Sequence, residues 1–382
     1  MFDNYKILKN NKTIKVGITI NFGIKIFSNG LQQNIIFLKK LFENIQNVHP
    51  IFIYTGEIPD EDYILKEDCL NYSDFIKEQH KDFDIVILVG FWLEQNFIND
   101  IKKSNKKIKL VTLQCGNQFV ENSMRSIHKY EKVEYFNNAF EGIDAVWILP
   151  QHSQNLTYMK IHYRTDSVSI VPYIWDSAII DSQIKELSKK GEKNILFTNK
   201  LTDVVVLEPN LSLIKNCILP IYIVEAFERK FKNKLSSLNI LGGLPMAENH
   251  YFMRMIMQLD IFKLRKNFLK VHNRYKFIDA IRLFGSLVIS HQLENDLNYL
   301  YFDALYLDLP LIHNSNTLKK FGYFYPHNDI DEAIEKVKDV LESHNKNIIS
   351  YKKRNKKMFE IYSIKNKKNL KLFLELINNV LS

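Results

Sequence analysis

The chain has 382 residues, 46% of them hydrophobic and 13% aromatic, which supplies cores for about two domains and argues against global disorder. Its formal charge of +9 is compatible with anionic ligands, nucleic acid or an acidic membrane face. Three widely spaced cysteines, Cys69, Cys115 and Cys217, exclude a disulfide framework and a paired-cysteine metal knuckle and fit a reducing compartment. The first residues lack a secretory pattern, and no apolar run approaches the roughly 20 residues of a spanning helix, so a soluble cytoplasmic protein is expected.

In chain order, "KVGITI" (15–20) reads as a short buried strand. After the polar "SNG", the segment "LQQNIIFLKKLFENI" carries Leu31, Ile35, Leu38, Leu41 and Phe42 at helical spacing. "HPIFIYTG", "FDIVILVG", "KIKLVTLQCGN", "GIDAVWILPQ" and "SVSIVPYIW" follow as strands, the last ending at Trp175. The polar "DSQIKELSKKGEK" (181–193) reads as a poorly patterned boundary. A second series starts near Lys193 with the strands "NILFTN" and "DVVVLEPN" and the long amphipathic helix "SLIKNCILPIYIVEAFERKF". "LNILGG", then "FKLRK" or "FLKVHN", then "GSLVISH" and "LPLIHNS" follow as strands, and "DIDEAIEKVKDVLESH" as a surface helix. Apolar strands alternating with helices give two α/β domains with parallel sheets covered on both faces.

In open α/β sheets, ligands bind outside the carboxyl ends of the strands. The polar clusters fall at those ends: 21–30, 114–117, 208–215, 291–296 and 313–315. Two such sheets facing each other form an interdomain cleft, a preferred ligand site. Ser28, Asn29 and Gly30 stand at a loop-to-helix junction and fit either plain capping or a ligand loop. Asn210, Ser212 and Lys215 lead into a helix whose dipole favours anions; either Lys215 pairs with a diphosphate, or the helix is merely capped and Lys215 is solvated. His291, Glu294, Asn295 and Asp296 share one turn. Glu294 suits hydroxyl groups and His291 suits acid–base work, whereas the structural alternative makes the acids helix-start residues. Asp303, two helical turns on, suits a cap or an ion pair. His313, Asn314 and Ser315 close the next strand, and Gln114, Asn117 and Trp175 suit structural roles as well as binding. "DED" (60–62) and "DID" (329–331) match Asp-x-Asp only formally, so no metal is expected.

Taken together these segments resemble the GT-B class of glycosyltransferases. "IVPYIWD" (170–176) looks like that class's "VIPNGVD" passage between domains. The places of its diphosphate-binding basic pair fall on Asn210 and Lys215, so only the lysine agrees. "ENDLNYLYFDALYLDLP" is similar to the E-x7-E segment that grips donor sugar and ribose, with Glu294 in the first place. Asp303 stands one residue late for the second, and Asp308 replaces the usual Gly. A closer resemblance is to an uncharacterised bacterial GT-B-like family, carried by "SNGLQQN", "LPQ", "VPYIWD", "EPNLSLIKNCILPIYIVEA", "SHQLENDLNYLYFDALYLDLPLIHNS" and "GYFYP".

The resemblance implies an acceptor-side Rossmann-like domain at 1–175 with Ser28, Asn29, Gly30, Gln114, Asn117 and Trp175. It implies a donor-side domain at 176–350, where Glu294 and, from its chemistry alone, His291 are the catalytic candidates. Donor contacts there are Asn210, Ser212, Lys215, Glu294, Asn295, Asp296, Asp303, His313, Asn314 and Ser315. Residues 351–382 form basic helices able to pack back on the first domain. The implied activity moves a sugar from a nucleotide sugar to a surface-glycan or lipid-linked acceptor without a metal or other cofactor. It implies a cytoplasmic enzyme, with the inner membrane face as a peripheral station and no nucleic acid as partner. The alternatives are a nucleotide-sugar epimerase or polyol-phosphate transferase, or a non-enzymatic binder of polyanions or membrane surfaces.

Overall fold

A computed structural model describes residues 13–24, 30–61, 63–77, 79–127, 141–189 and 200–382. Residues up to Asp176 together with Ile361–Ser382 form one compact unit, and Ser177–Glu360 form the other. The sequence-based boundaries fall at 175/176 and 350/351.

The first unit holds a seven-stranded sheet, every pairing parallel, in the order β3-β2-β1-β4-β5-β6-β7. Its strands are β1 (Ile14–Asn21), β2 (Val48–Thr55), β3 (Cys69–Asn71), β4 (Ile85–Leu88), β5 (Lys109–Gln114), β6 (Ala145–Ile148) and β7 (Val168–Ile170). Val16, Ile18 and Ile20 are fully buried, and so is all of β4, as befits central parallel strands covered on both faces. The helix Gly30–Phe42 lays its apolar face on this sheet. Phe373 of the C-terminal helix Lys367–Leu381 meets Phe42 and Trp147 edge-on at 5.8 and 6.0 Å, which joins the chain's last helix to this core.

Gly90 follows β4 where the backbone of β1 crosses closely. A Cβ there would lie 2.6 Å from Ile20 Cα and 2.7 Å from Thr19 O, main-chain atoms that cannot swing aside. Gly90→Ala therefore costs about 1–3 kcal/mol of overpacking, and the melting temperature of this unit falls by roughly 3–10 °C in a thermal scan. An unchanged melting temperature would refute the close approach.

The second unit repeats the plan with six parallel strands in the order β10-β9-β8-β11-β12-β13. These are β8 (Asp203–Val206), β9 (Ser237–Leu241), β10 (Leu269–His272), β11 (Leu287–Ile289), β12 (Leu311–His313) and β13 (Tyr323–Phe324). Counted within the unit the order is 3-2-1-4-5-6, and its direction reverses between β8 and β11.

Three readings are corrected. The helix expected from Ser212 starts only at Ile218, because Ser212 and Lys215 pair as a β-bridge and the Asn210 side chain accepts from Cys217 N at 2.8 Å. The polar 181–193 segment is largely helix, Ala178–Lys189, which buries Ile179, Ile180, Gln183 and Leu187 on one face. Of the two candidates near 270, "FLKVHN" supplies β10, whereas "FKLRK" overlaps the short helix Asp260–Lys263. The expected strand "NILFTN" lies outside the described residues.

Candidate functional site at the carboxyl ends of the second sheet

Strand order alone puts the loops after β8 and β11 side by side at the reversal point, where an open α/β sheet leaves room for a ligand. The two loops are joined there. Lys215 bridges to Gln292 as an added antiparallel pair, and Leu293 N donates to Ile214 O at 3.0 Å. Between them lies Glu208, two residues past β8 and fully buried. Its carboxylate accepts from Ser290 Oγ and, at 3.3 Å, from Gln292 Nε2. Burial pushes the carboxyl up to about 7. The Ser290 hydrogen bond, the charge of Lys215, the Gln292 hydrogen bond and the charge of Arg274 oppose that rise.

Two cations thus act on one buried carboxyl from different strand ends. Lys215 is half-buried in the loop after β8. Arg274 follows β10 and is an exposed residue; partial desolvation lowers its pKa, with the Glu208 charge acting against that. Gly242, after β9, takes φ +73 and donates its N–H to Asn273 O at 3.2 Å, which ties the loops after β9 and β10 together. Asn210 stands at φ +56, in the left-handed region that Asn tolerates, and donates to Glu208 O at 2.8 Å. Asn210 therefore shapes the loop that carries Lys215, and Ser212 supports it through the Lys215 N–H to Ser212 O bond at 3.3 Å.

The turn after β11 is a network of hydrogen bonds. Asn295 donates to Gln292 Oε1, so Asn295, Gln292 and Glu208 form a buried chain. Asn314, after β12, accepts from Gln292 N at 3.0 Å and donates to Gln292 O at 2.8 Å, continuing the strand pairing with a side chain. His291 is buried, with Nδ1 2.9 Å from the Tyr325 hydroxyl. Burial lowers its pKa to about 4, against a hydrogen bond to Asn328, so the ring is neutral near pH 7. Glu294 is exposed at φ +48, a strained conformation of the kind that collects at binding turns.

The remaining predicted residues act as braces. Asp296 accepts from Thr317 N at 3.1 Å and Thr317 Oγ1 at 2.8 Å, while Ser315 Oγ donates to Asp296 O at 2.6 Å. His313 is fully buried with both ring nitrogens engaged, Nε2 with Phe321 O at 3.0 Å and Nδ1 with Ser315 N at 3.2 Å. Asp303 is buried within the helix Tyr299–Tyr306, which Asn298 caps by accepting from Leu300 N. Asp308 takes φ +59, a conformation glycine adopts without a Cβ penalty, and Lys352 Nζ lies 2.8 Å from its carboxylate.

In the first unit, Gln114 and Asn117 turn inward. Gln114 Nε2 donates to Thr112 Oγ1 at 2.9 Å and Tyr163 OH at 2.8 Å. Asn117 Oδ1 accepts from Val120 N at 3.2 Å and Asn155 Nδ2 at 2.8 Å. Trp175 is buried, and its main-chain N–H donates to Tyr362 O at 2.8 Å. Gly30 begins the first helix, which Gln32 ties to β1 by donating to Asn21 O at 2.7 Å. Ser28 and Asn29 lie outside the described residues.

Glu208 and Gln292 fall within the strand-end clusters 208–215 and 291–296 without being singled out as site residues, and Arg274 falls in no cluster. Glu208 had a signal, an acid directly behind a run of buried valines, while Arg274 follows a weak edge strand and had none.

A model of the family described as "Protein of unknown function (DUF2827)" matches residues 16–377, so the chain belongs to that family. No curated protein matches the sequence. Among solved structures the chain is similar to Anabaena HepE in complex with UDP-glucose, at 11% identity and a TM-score of 0.56, over 95% of this chain and 100% of that one. It is also similar to the N-terminal domain of Candida albicans trehalose-6-phosphate phosphatase, at 12% identity and 0.59, over 99% of each chain. A match to S. aureus TarM at 15% identity and 0.48 covers 77% of this chain. The chain spans 55% of TarM's length and 60% of that of the pneumococcal O-GlcNAc transferase GtfA. At such identities the likeness is one of fold, two Rossmann-like units of the GT-B class. Among the described residues no helix is long and apolar enough to cross a membrane.

Proposed function

We propose that this DUF2827 chain is a glycosyltransferase that moves a sugar from a nucleotide-sugar donor to a surface-glycan or lipid-linked acceptor. The observation that carries this reading is the pair of cations, Lys215 and Arg274, acting on one buried carboxyl where the second sheet reverses strand order. Two cations from separate loops match a diphosphate, and they meet the charge that develops on the leaving group without a metal. Glu294, exposed in the same turn, suits sugar or ribose hydroxyls, while Asn295 braces that turn through Gln292. His291, neutral near pH 7 and bonded to Tyr325 and Asn328, suits a bracing role in this turn better than proton transfer. The reading gains support from HepE, whose structure with UDP-glucose shows a chain of this fold taking a nucleotide sugar. Gly30 and its neighbours in the first unit are the proposed acceptor side, and the cytoplasmic face of an acidic membrane is the proposed station.

The test is a thermal-shift panel of nucleoside diphosphates and nucleotide sugars. At a hundredfold excess over Kd, a true donor adds about 2.7 kcal/mol and raises the melting temperature by roughly 5–10 °C. Conversion of a nucleotide sugar with no acceptor present would mark an epimerase. Salt-sensitive binding to a generic polyanion, with no nucleotide shift, would mark a surface binder and sink the transferase reading.

A further inference from the structure

Glu208 has no role in the chemistry proposed above, yet it is the carboxylate around which the loops of the second sheet are built. We propose that Glu208 is a proton-accepting positioning residue beneath the anion site, and that a diphosphate bound by Lys215 and Arg274 drives a proton onto it. The inference rests on the donor-site reading and adds a coupling that sugar transfer by itself does not require.

The geometry supplies the reason. Glu208 is fully buried, and its hydrogen-bond donors, Ser290 and Gln292, are neutral. The charges that favour its ionised form are Lys215, on the loop after β8, and Arg274, after β10. Three further titratable neighbours disfavour that form. Tyr301, from the helix Tyr299–Tyr306, and Tyr325, after β13, are held neutral by burial and then by the Glu208 charge. The Cys217 thiol, just ahead of the helix Ile218–Phe231, is pushed up to about 12 by burial, with Glu208 adding to the rise. A diphosphate that claims both cations cancels the charge holding Glu208 ionised and adds like charge nearby, so the carboxylate takes up a proton from solvent. No bond to the ligand is made or broken in this step. Burial already places the free carboxyl at about 7, so the uptake falls in the neutral range.

Calorimetry of the full chain with inorganic pyrophosphate, and separately with UDP, GDP and ADP, in buffers of different ionisation enthalpy measures the protons taken up. Wild type is expected to take up about half a proton more than Glu208→Gln near pH 7.5, and Glu208→Gln to bind about tenfold more tightly at pH 8. Equal uptake in the two chains overturns the proposal. Should Glu208→Gln fail to melt cooperatively, Arg274→Gln serves instead. Removing one supporting cation moves the midpoint of the pH dependence upward, and an unmoved midpoint overturns the proposal. Nucleotide binding with equal uptake sinks the coupling and leaves the transferase reading standing. Pyrophosphate binding with the coupling, and no nucleotide binding, does the reverse. Failure of both ligands to bind overturns both.

Discussion

Lys215→Ala and Arg274→Ala are each expected to weaken nucleoside-diphosphate binding by roughly ten- to a hundredfold. A hydrogen bond between charged partners is worth about 1.5–3 kcal/mol, and a diphosphate offers each cation at least one. The loss is a binding effect rather than unfolding, for two reasons. Arg274 is exposed, and Lys215 is placed by main-chain bridges to Ser212 and Gln292 that survive truncation of its side chain. Lys215→Arg and Arg274→Lys keep the charge and recover part of the affinity, though unequally, since a guanidinium fork and an ammonium point charge meet phosphate differently. Titration calorimetry at fixed ionic strength decides the matter. Full affinity in both alanine variants would move the anion site away from the β8–β11 reversal.

The second unit is also expected to lose stability as pH falls from about 6.5 to 4. Burial lowers the His291 and His313 pKa values to about 4, so the folded chain refuses protons that the unfolded chain binds near 6.5. Their stabilising effect is complete above pH 6.5 and lost on descent through that window, about 3 kcal/mol for each ring. Glu208 acts in the opposite direction. Its carboxyl, raised to about 7, costs stability above pH 7 and returns about 3 kcal/mol as pH falls towards 4.5. His272 and His344 in the same unit are also lowered by burial and act in the same direction, so a net loss of at least about 3 kcal/mol between pH 7 and 4 remains, measurable from urea midpoints. His313→Asn removes about 3 kcal/mol of the histidine contribution. An unchanged slope in that variant would show that His313 does not titrate in this window.

How far these features could be read from sequence varies with their physical cause. β1, β4, β8 and β11 were legible because central parallel strands are apolar on both faces. β3 and β13, three and two residues long, lie at sheet edges and leave no such run. The late start of the helix Ile218–Phe231 was hidden because Leu213 and Ile214 keep the apolar rhythm going, while an asparagine in a left-handed turn sets the true start. The strand-end rule pointed to the part of the second sheet where the buried hydrogen-bond network lies, yet it could not separate groups free to face a ligand from groups bracing a loop. Gln114, Asn117 and His313 are polar, stand at strand ends and spend their hydrogen bonds on the protein. Glu208 stands within the strand-end cluster 208–215, but its weight as a site residue comes from burial, and burial is a property of the assembled sheet. Asp308 shows the converse: a departure from the glycine usual in GT-B enzymes becomes intelligible once its backbone is seen to be left-handed.

The Asn314 side chain, paired with both main-chain groups of Gln292, has a mechanical meaning. Two loops from different strands are riveted at one point, so neither can shift without carrying the other. A ligand that presses on the turn at 291–296 is thereby transmitted to the segment at 314–317, whose Thr317 already holds Asp296. Asn314 thereby fixes the spacing of the loops that follow the neighbouring strands β11 and β12.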